Sequence, residues 1–118
     1  MSVTVKDGVE FTVIAPAGYV ILTALRHVSA ECGVDLVITS ACDGVHSGPL
    51  DPHHTGEAYD VRSHDFAPDL KAHIVESISQ ELGPRSYSFL ESPGTDNEHI
   101  HTQRAKDTTY TVEDLLNG

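Results

Sequence analysis

Hydrophobic and polar positions along the chain outline several strands. Residues 9–14 alternate and are rich in β-branched side chains, which predicts a strand that can pair with residues 2–6 across the Asp7-Gly8 turn. Residues 34–40 form a short apolar run bounded by polar positions, as in a buried strand. Three further strands are predicted over residues 57–62, 87–90 and 99–103.

Two longer segments carry apolar side chains at helical spacing. The first covers residues 19–32, and Gly33 ends it. The second covers residues 67–82 and is followed by a Gly-Pro pair that stops the helix. A short helix near residues 112–116 is the last predicted element.

Between these elements lies a long loop, residues 41–55, rich in Gly, Pro, Asp and His. Irregular segments of this length inside a compact domain are usually functional. The whole pattern predicts one α+β domain over residues 1–118, with a small, mostly antiparallel sheet and two main helices.

Composition limits the class of protein and the kinds of partner that we expect. The 118 residues are 39% hydrophobic and 21% charged, as in ordinary globular proteins. Eighteen acidic against seven basic residues give a net charge of −11, so we expect no nucleic-acid binding. No apolar run reaches about 18 residues, and no signal-peptide pattern is present, so we expect no membrane insertion and synthesis in the cytoplasm. We expect a monomer with two free thiols, Cys32 and Cys42.

Two short motifs carry the candidate chemistry. H-x-x-G-x-A-x-D contains His53 and Asp60, and E-x-x-H contains Glu98 and His101. Two imidazoles and one carboxylate suit zinc, and three protein ligands leave a fourth position for water. If the strands are neighbours, Asp60 and His101 converge while His53 reaches in from the loop. These three residues are the predicted Zn²⁺ ligands, and Glu98 is the predicted base toward the attacking water.

Three more residues are candidates for contacting the substrate. His99 and Arg62 alternate onto the same faces as the ligands, where either can donate a hydrogen bond to a developing oxyanion. His46, in the long loop, is a third candidate donor. The alternatives are a packing role for His99, a surface ion pair for Arg62 and an ordinary loop position for His46.

The paired motifs resemble those of the M15-type zinc peptidases, over roughly residues 36–103. That group includes D-alanyl-D-alanine carboxypeptidases and dipeptidases, and the L-alanyl-D-glutamate endopeptidases that many phages use as endolysins. The resemblance implies a Hedgehog/DD-peptidase-like fold and a peptidoglycan peptide as substrate. It also implies zinc ligation by His53, Asp60 and His101, with Glu98 as catalytic base.

The chain departs from the family pattern at two positions. Asp51 replaces a serine two residues before the first ligand, and Asp43 lies where many members have an arginine that stabilises negative charge. Arg62, His46 or His99 can replace that arginine, or zinc alone can stabilise the oxyanion. Loss of catalysis with retention of the metal is the remaining alternative.

Three functions follow as hypotheses. A peptidoglycan endopeptidase is favoured, because an exopeptidase needs a cation cluster that closes one end of the groove and the chain has few basic residues. A phage endolysin or virion-associated enzyme that acts at the cell wall fits this form. A D-Ala-D-Ala carboxypeptidase or dipeptidase is the nearest alternative, and a non-catalytic zinc-binding module of the same fold is the alternative from another class.

Overall fold

Five strands form one sheet in the computed structural model, which describes residues 1–43, 51–105 and 108–117. The strands are Val3–Val5 (β1), Leu36–Ser40 (β2), Ala58–Arg62 (β3), Ser86–Glu91 (β4) and His99–Arg104 (β5). Their spatial order is β1-β2-β3-β5-β4. β1 and β2 run parallel, whereas the other three pairings are antiparallel. The predicted α+β class is confirmed, with a sheet that is mixed rather than purely antiparallel.

Three helices accompany the sheet: Pro16–Cys32 (α1), Pro68–Leu82 (α2) and Val112–Asn117 (α3). Both main helices begin at a proline, whose fixed φ suits the first helical turn and whose missing N–H has no helical partner there. α1 therefore starts earlier than residue 19, where the apolar spacing begins. Gly33 ends it with φ 66°, and its N–H donates to the carbonyl of Ser29. None of the helices in the described ranges is long and apolar enough to cross a membrane.

The predicted strand over residues 9–14 is wrong. β1 pairs with β2 instead, and the Ser2 N–H donates to Asp35 Oδ1 at 3.1 Å where this pairing begins. Residues 9–14 make isolated contacts, among them a 2.8 Å hydrogen bond from the Cys42 N–H to the Glu10 carbonyl. Alternation of β-branched residues indicates a half-buried extended segment, but it does not choose the partner strand.

The apolar core lies between one face of the sheet and the two main helices. In β3, Tyr59 and Val61 are fully buried in this core, so Asp60 between them points to the opposite face. In β5, Ile100 is fully buried and His101 points to that same opposite face. Burial of each large apolar side chain contributes about 1.5–3 kcal/mol. A slip of one residue would expose this set, so the core also holds the register of the polar residues.

Candidate metal centre

The register of β3 and β5 brings two predicted ligands face to face. Asp60 pairs directly with His101, and Asp60 Oδ1 lies 3.0 Å from His101 Nδ1. His53 Nε2 lies 3.3 Å from the same oxygen. One ligand atom from each of the three residues falls within 4.8 Å of the others, and the residues are only 4%, 9% and 8% exposed in chain order. The structure therefore brings all three predicted ligands together.

A tight turn before β3 carries His53 to the pair. Asp51 Oδ1 accepts the backbone N–H of His53 at 2.9 Å, so the acid at the position of the family's serine helps to shape this turn. Gly56 has φ 76°, and a Cβ placed there would lie 2.3 Å from the Val13 carbonyl oxygen. Any other residue at Gly56 would push the turn off its neighbour and displace His53.

Hydrogen bonds on the outer side of each ring orient the two imidazoles. His53 Nδ1 lies 2.9 Å from the Ala41 carbonyl oxygen, which can only accept, so this nitrogen carries the proton of the neutral ring. His101 Nε2 makes the matching contact, 2.7 Å to Gln103 Oε1. The other two nitrogens, His53 Nε2 and His101 Nδ1, face Asp60 Oδ1. Each donates to this oxygen when it is protonated, and each offers a lone pair to a metal when it is not. This second layer of contacts is the kind that presents histidine to a metal, and the two nitrogens and one oxygen fit the donor preference of zinc.

The three side chains shift one another's pKa. Burial by itself would raise the pKa of Asp60, but hydrogen bonds from His101 and His53 outweigh burial and lower that pKa below its usual range. Burial by itself would lower the pKa of His53 and of His101. The hydrogen bond to Asp60 and its charge outweigh that effect and raise both pKa values. The cluster thus attracts positive charge, and protons compete with a metal for the same two nitrogens.

His99 lies beside the cluster, as its place in β5 predicts. Its Nε2 is 2.7 Å from Glu91 Oε1 and 3.6 Å from Asp60 Oδ2, while its Nδ1 is 2.7 Å from the Asn97 carbonyl oxygen. Each ring nitrogen therefore faces an oxygen acceptor. Glu91, His99 and His101 form a second group whose ligand atoms lie within 4.8 Å of one another. His99 therefore lies next to the candidate ligands, where it can donate a hydrogen bond, and Glu91 lies beside it.

Arg62 and His46, the other two candidate donors, have different outcomes. Arg62 pairs with His99 across β3 and β5, and its side chain borders a smaller cavity next to the ligand cluster. His46 lies outside the described residues. Of the two, only Arg62 can be placed, and it lies next to the cluster rather than within it.

Glu98, the predicted base, is not brought to the ligands. Its carboxylate lies 2.7 Å from Lys71 Nζ, accepts the Ser63 hydroxyl at 2.8 Å and accepts the Gly94 N–H at 3.1 Å. The Lys71 hydrogen bond, the Gly94 N–H and the Ser63 hydroxyl together lower the pKa of Glu98 to about 2. Because side chains alternate along a strand, a residue three before His101 points toward the helix side. Its role as a base stays a prediction.

The candidate ligands line a polar cavity of about 520 Å³. Its other lining residues are Lys6, Thr39, Ser40, Asp51, Glu91, Asn97, His99 and Gln103. Gln103 has the same two-residue spacing from His101 as His99, so alternation alone could have identified it. Lys6 carries no comparable signal, because only the β1–β2 pairing brings it to the cavity.

No family model, curated protein or solved structure matches the chain. The M15-type resemblance therefore rests on the two motifs alone. What the described residues form is a candidate divalent-metal centre of two imidazoles and one carboxylate, set in a polar cavity. Three protein ligands beside a cavity are typical of a catalytic zinc site rather than a closed structural one.

Proposed function

We propose that the chain is a zinc-dependent hydrolase that cleaves peptide bonds in the stem peptide of peptidoglycan. The observation that carries this proposal is the convergence of His53, Asp60 and His101 on a polar cavity, with both inward ring nitrogens directed at Asp60. The order and spacing of the motifs supply the substrate class through their resemblance to M15-type peptidases. An endopeptidase of the phage endolysin or virion-associated type is the favoured form, and a D-Ala-D-Ala carboxypeptidase is its nearest rival.

The cavity residues have separate tasks in the proposed reaction. A bound zinc would supply a Lewis acid and would lower the pKa of the attacking water to roughly 7. His99 lies within 3.6 Å of Asp60 and can donate a hydrogen bond to the carbonyl oxygen as negative charge develops on it. Gln103 and the Ala41 carbonyl hold the two ligand rings in the required tautomers.

Two carboxylates compete for the role of general base. Glu98 is the acid that the E-x-x-H motif predicts, and it can act only after its carboxylate leaves Lys71. Glu91 already lines the cavity and contacts His99. Glu91→Gln and Glu98→Gln, each checked for retained zinc, separate the two. The variant that binds zinc but no longer hydrolyses peptide identifies the base.

The hydrogen bonds of Glu98 favour a second candidate function, a zinc-binding module without catalysis. A carboxylate that is held by Lys71, Ser63 and Gly94, with its pKa lowered to about 2, is a weak proton acceptor. The missing family arginine at Asp43 points the same way. Zinc binding without hydrolysis of any peptidoglycan fragment would establish this alternative.

The decisive experiment is a digest of peptidoglycan and of defined muropeptides by the purified, zinc-loaded protein. New amino groups should appear, a chelator should abolish their release, and added zinc should restore it. Product masses from a defined stem peptide then identify the bond and separate endopeptidase from carboxypeptidase. The hydrolase proposal fails if the zinc-loaded protein leaves both cell walls and muropeptides intact.

A further inference from the structure

A second, smaller cavity of about 170 Å³ adjoins the candidate metal centre. The two cavities share four lining residues: Lys6, Thr39, Asn97 and His99. Arg62 lines the smaller one, and His99 lies between it and Asp60, with Nε2 3.6 Å from Asp60 Oδ2. A group bound in the smaller cavity would therefore lie next to an amide held at the metal centre.

Among the described residues, Lys6 and Arg62, two cations at this cavity, lack the salt bridges that three other basic residues form. Lys71, Arg85 and Arg104 each form a salt bridge at 2.7–2.9 Å. Within the described part of the chain, the side chains of Lys6 and Arg62 form neither a salt bridge nor a hydrogen bond. Arg26, which is exposed on α1, shares this lack of described partners, so what distinguishes Lys6 and Arg62 is that both line one cavity in a protein with a net charge of −11.

The acids around this cavity do not neutralise the pair. Glu98 borders the cavity, but its carboxylate is already 2.7 Å from Lys71 Nζ. Asp96 is the other acid in the lining, and it is exposed. Within the lining of this cavity, Lys6 and Arg62 therefore outnumber Asp96, whereas Asp51, Asp60 and Glu91 line only the adjoining cavity. An ammonium and a guanidinium at one small cavity are a typical arrangement for binding a carboxylate.

We infer that Lys6 and Arg62 bind a free carboxylate of the substrate, on a residue adjoining the scissile amide. This inference rests on the proposed hydrolase function and specifies its substrate. Two sources offer the same group: the C-terminal carboxylate of a terminal D-Ala-D-Ala, and the free α-carboxylate of a D-glutamate that is linked through its side chain. Seven basic residues are enough for such a subsite, because the β1–β2–β3 pairing brings two of them to one cavity.

Pairs of peptides that differ only in this carboxylate test the inference. One pair is L-Ala-γ-D-Glu with a free or an amidated α-carboxylate, and the other is a stem peptide ending in D-Ala-D-Ala or in its amide. The wild-type protein should cleave the acid of one pair about 10- to 100-fold more efficiently in kcat/KM than its amide. The pair that shows the difference identifies the source of the carboxylate.

Substitutions then assign the preference to the two cations. Lys6→Ala combined with Arg62→Ala should bring the acid-to-amide ratio close to one, mainly through KM, with the melting temperature checked for folding. Lys6→Arg keeps the charge and should keep most of the preference. Arg26→Ala removes an exposed cation on α1 and should leave the ratio unchanged.

Calorimetric titration of the metal-free protein with the same peptides gives a readout independent of hydrolysis. The acid should bind more tightly than the amide, and the double variant should lose that difference. If no peptide is hydrolysed but this difference persists, the hydrolase proposal fails while the carboxylate subsite stands. Equal acid-to-amide ratios in the wild-type protein and the double variant, by either readout, would overturn the subsite.

Discussion

Asp60 in β3 and Glu98, directly before β5, are two buried carboxylates whose surroundings differ in one decisive respect. Both have a lowered pKa. Asp60 owes this to two imidazoles, which can give up a proton and then bind a metal. Glu98 owes it to Lys71, whose ammonium has no lone pair, and to a hydroxyl and a backbone N–H.

The comparison shows that two different kinds of partner can depress the pKa of a carboxylate. The partners of Asp60 can exchange a proton for a cation, and the cluster lines a cavity. Glu98 is held by Lys71, Ser63 and the Gly94 N–H, and its ion pair with Lys71 links the turn before β5 to α2. Asp60 belongs to a site that can bind a ligand, whereas Glu98 in this structure has a stabilising contact between two segments of the fold.

Removal of a candidate zinc ligand should have the largest effect, and the quantity affected is zinc affinity. His101→Ala or Asp60→Asn should weaken zinc binding by more than about 100-fold, which exceeds the loss typical of outer-shell changes. Competition with a chromogenic chelator measures this affinity. Glu98→Gln is the matched control and should bind zinc within a few-fold of wild type. A comparable loss in that control would mean that both carboxylates serve the metal.

The outer hydrogen bond of His101 should have the next largest effect. Gln103→Leu removes the acceptor that lies 2.7 Å from His101 Nε2 and should lower zinc affinity by about 10- to 100-fold. Gln80→Leu, at an exposed position on α2, is the matched control. Unchanged affinity in Gln103→Leu would show that this contact does not orient the ring.

Thermal stability should depend more on Glu98 than on Glu91, a carboxylate beside the candidate ligands. Glu98→Gln leaves the Lys71 ammonium, 16% exposed, without its anion and should lower the melting temperature of the metal-free protein by several degrees. Glu91→Gln changes a side chain that is 45% exposed and should have little effect. Equal melting temperatures for the two variants would contradict a structural role for Glu98. Thermal unfolding followed by circular dichroism provides the measurement.

The smallest expected effect concerns the pH dependence of stability, which should differ between Glu98 and the two candidate histidine ligands. Because the pKa of Glu98 is depressed to about 2, its stabilisation is complete above the unfolded value of 4.5 and is lost as pH falls toward 2. The pKa values of His53 and His101 are raised, so their stabilisation of the metal-free protein is present below pH 6.5 and is lost as pH rises through the raised values. Melting curves from pH 2 to 9 check both. The gap between wild type and Glu98→Gln should narrow from pH 4.5 downward, and a constant gap would refute this assignment.

Much of the candidate site could be predicted because it depends on local periodicity. The two-residue period of a strand places Asp60 and His101 on one face, and the helical spacing gives both main helices. The predicted strand over residues 9–14 was wrong because an alternating pattern does not identify the partner strand. The surroundings of Glu98 were missed because Lys71 and Ser63 are 27 and 35 positions away in the chain.

The amino-acid sequence by itself determined which side chains share a face of a strand, where the main helices end, and which residues of the two motifs can serve as zinc-type donors. These properties depend on backbone geometry within a few residues. Only the tertiary structure decided that β1 joins β2, that Glu98 bonds Lys71 and that Lys6 and Arg62 line one cavity beside the candidate metal centre. Those contacts join distant segments, and burial of the whole core, rather than any local preference, selects them.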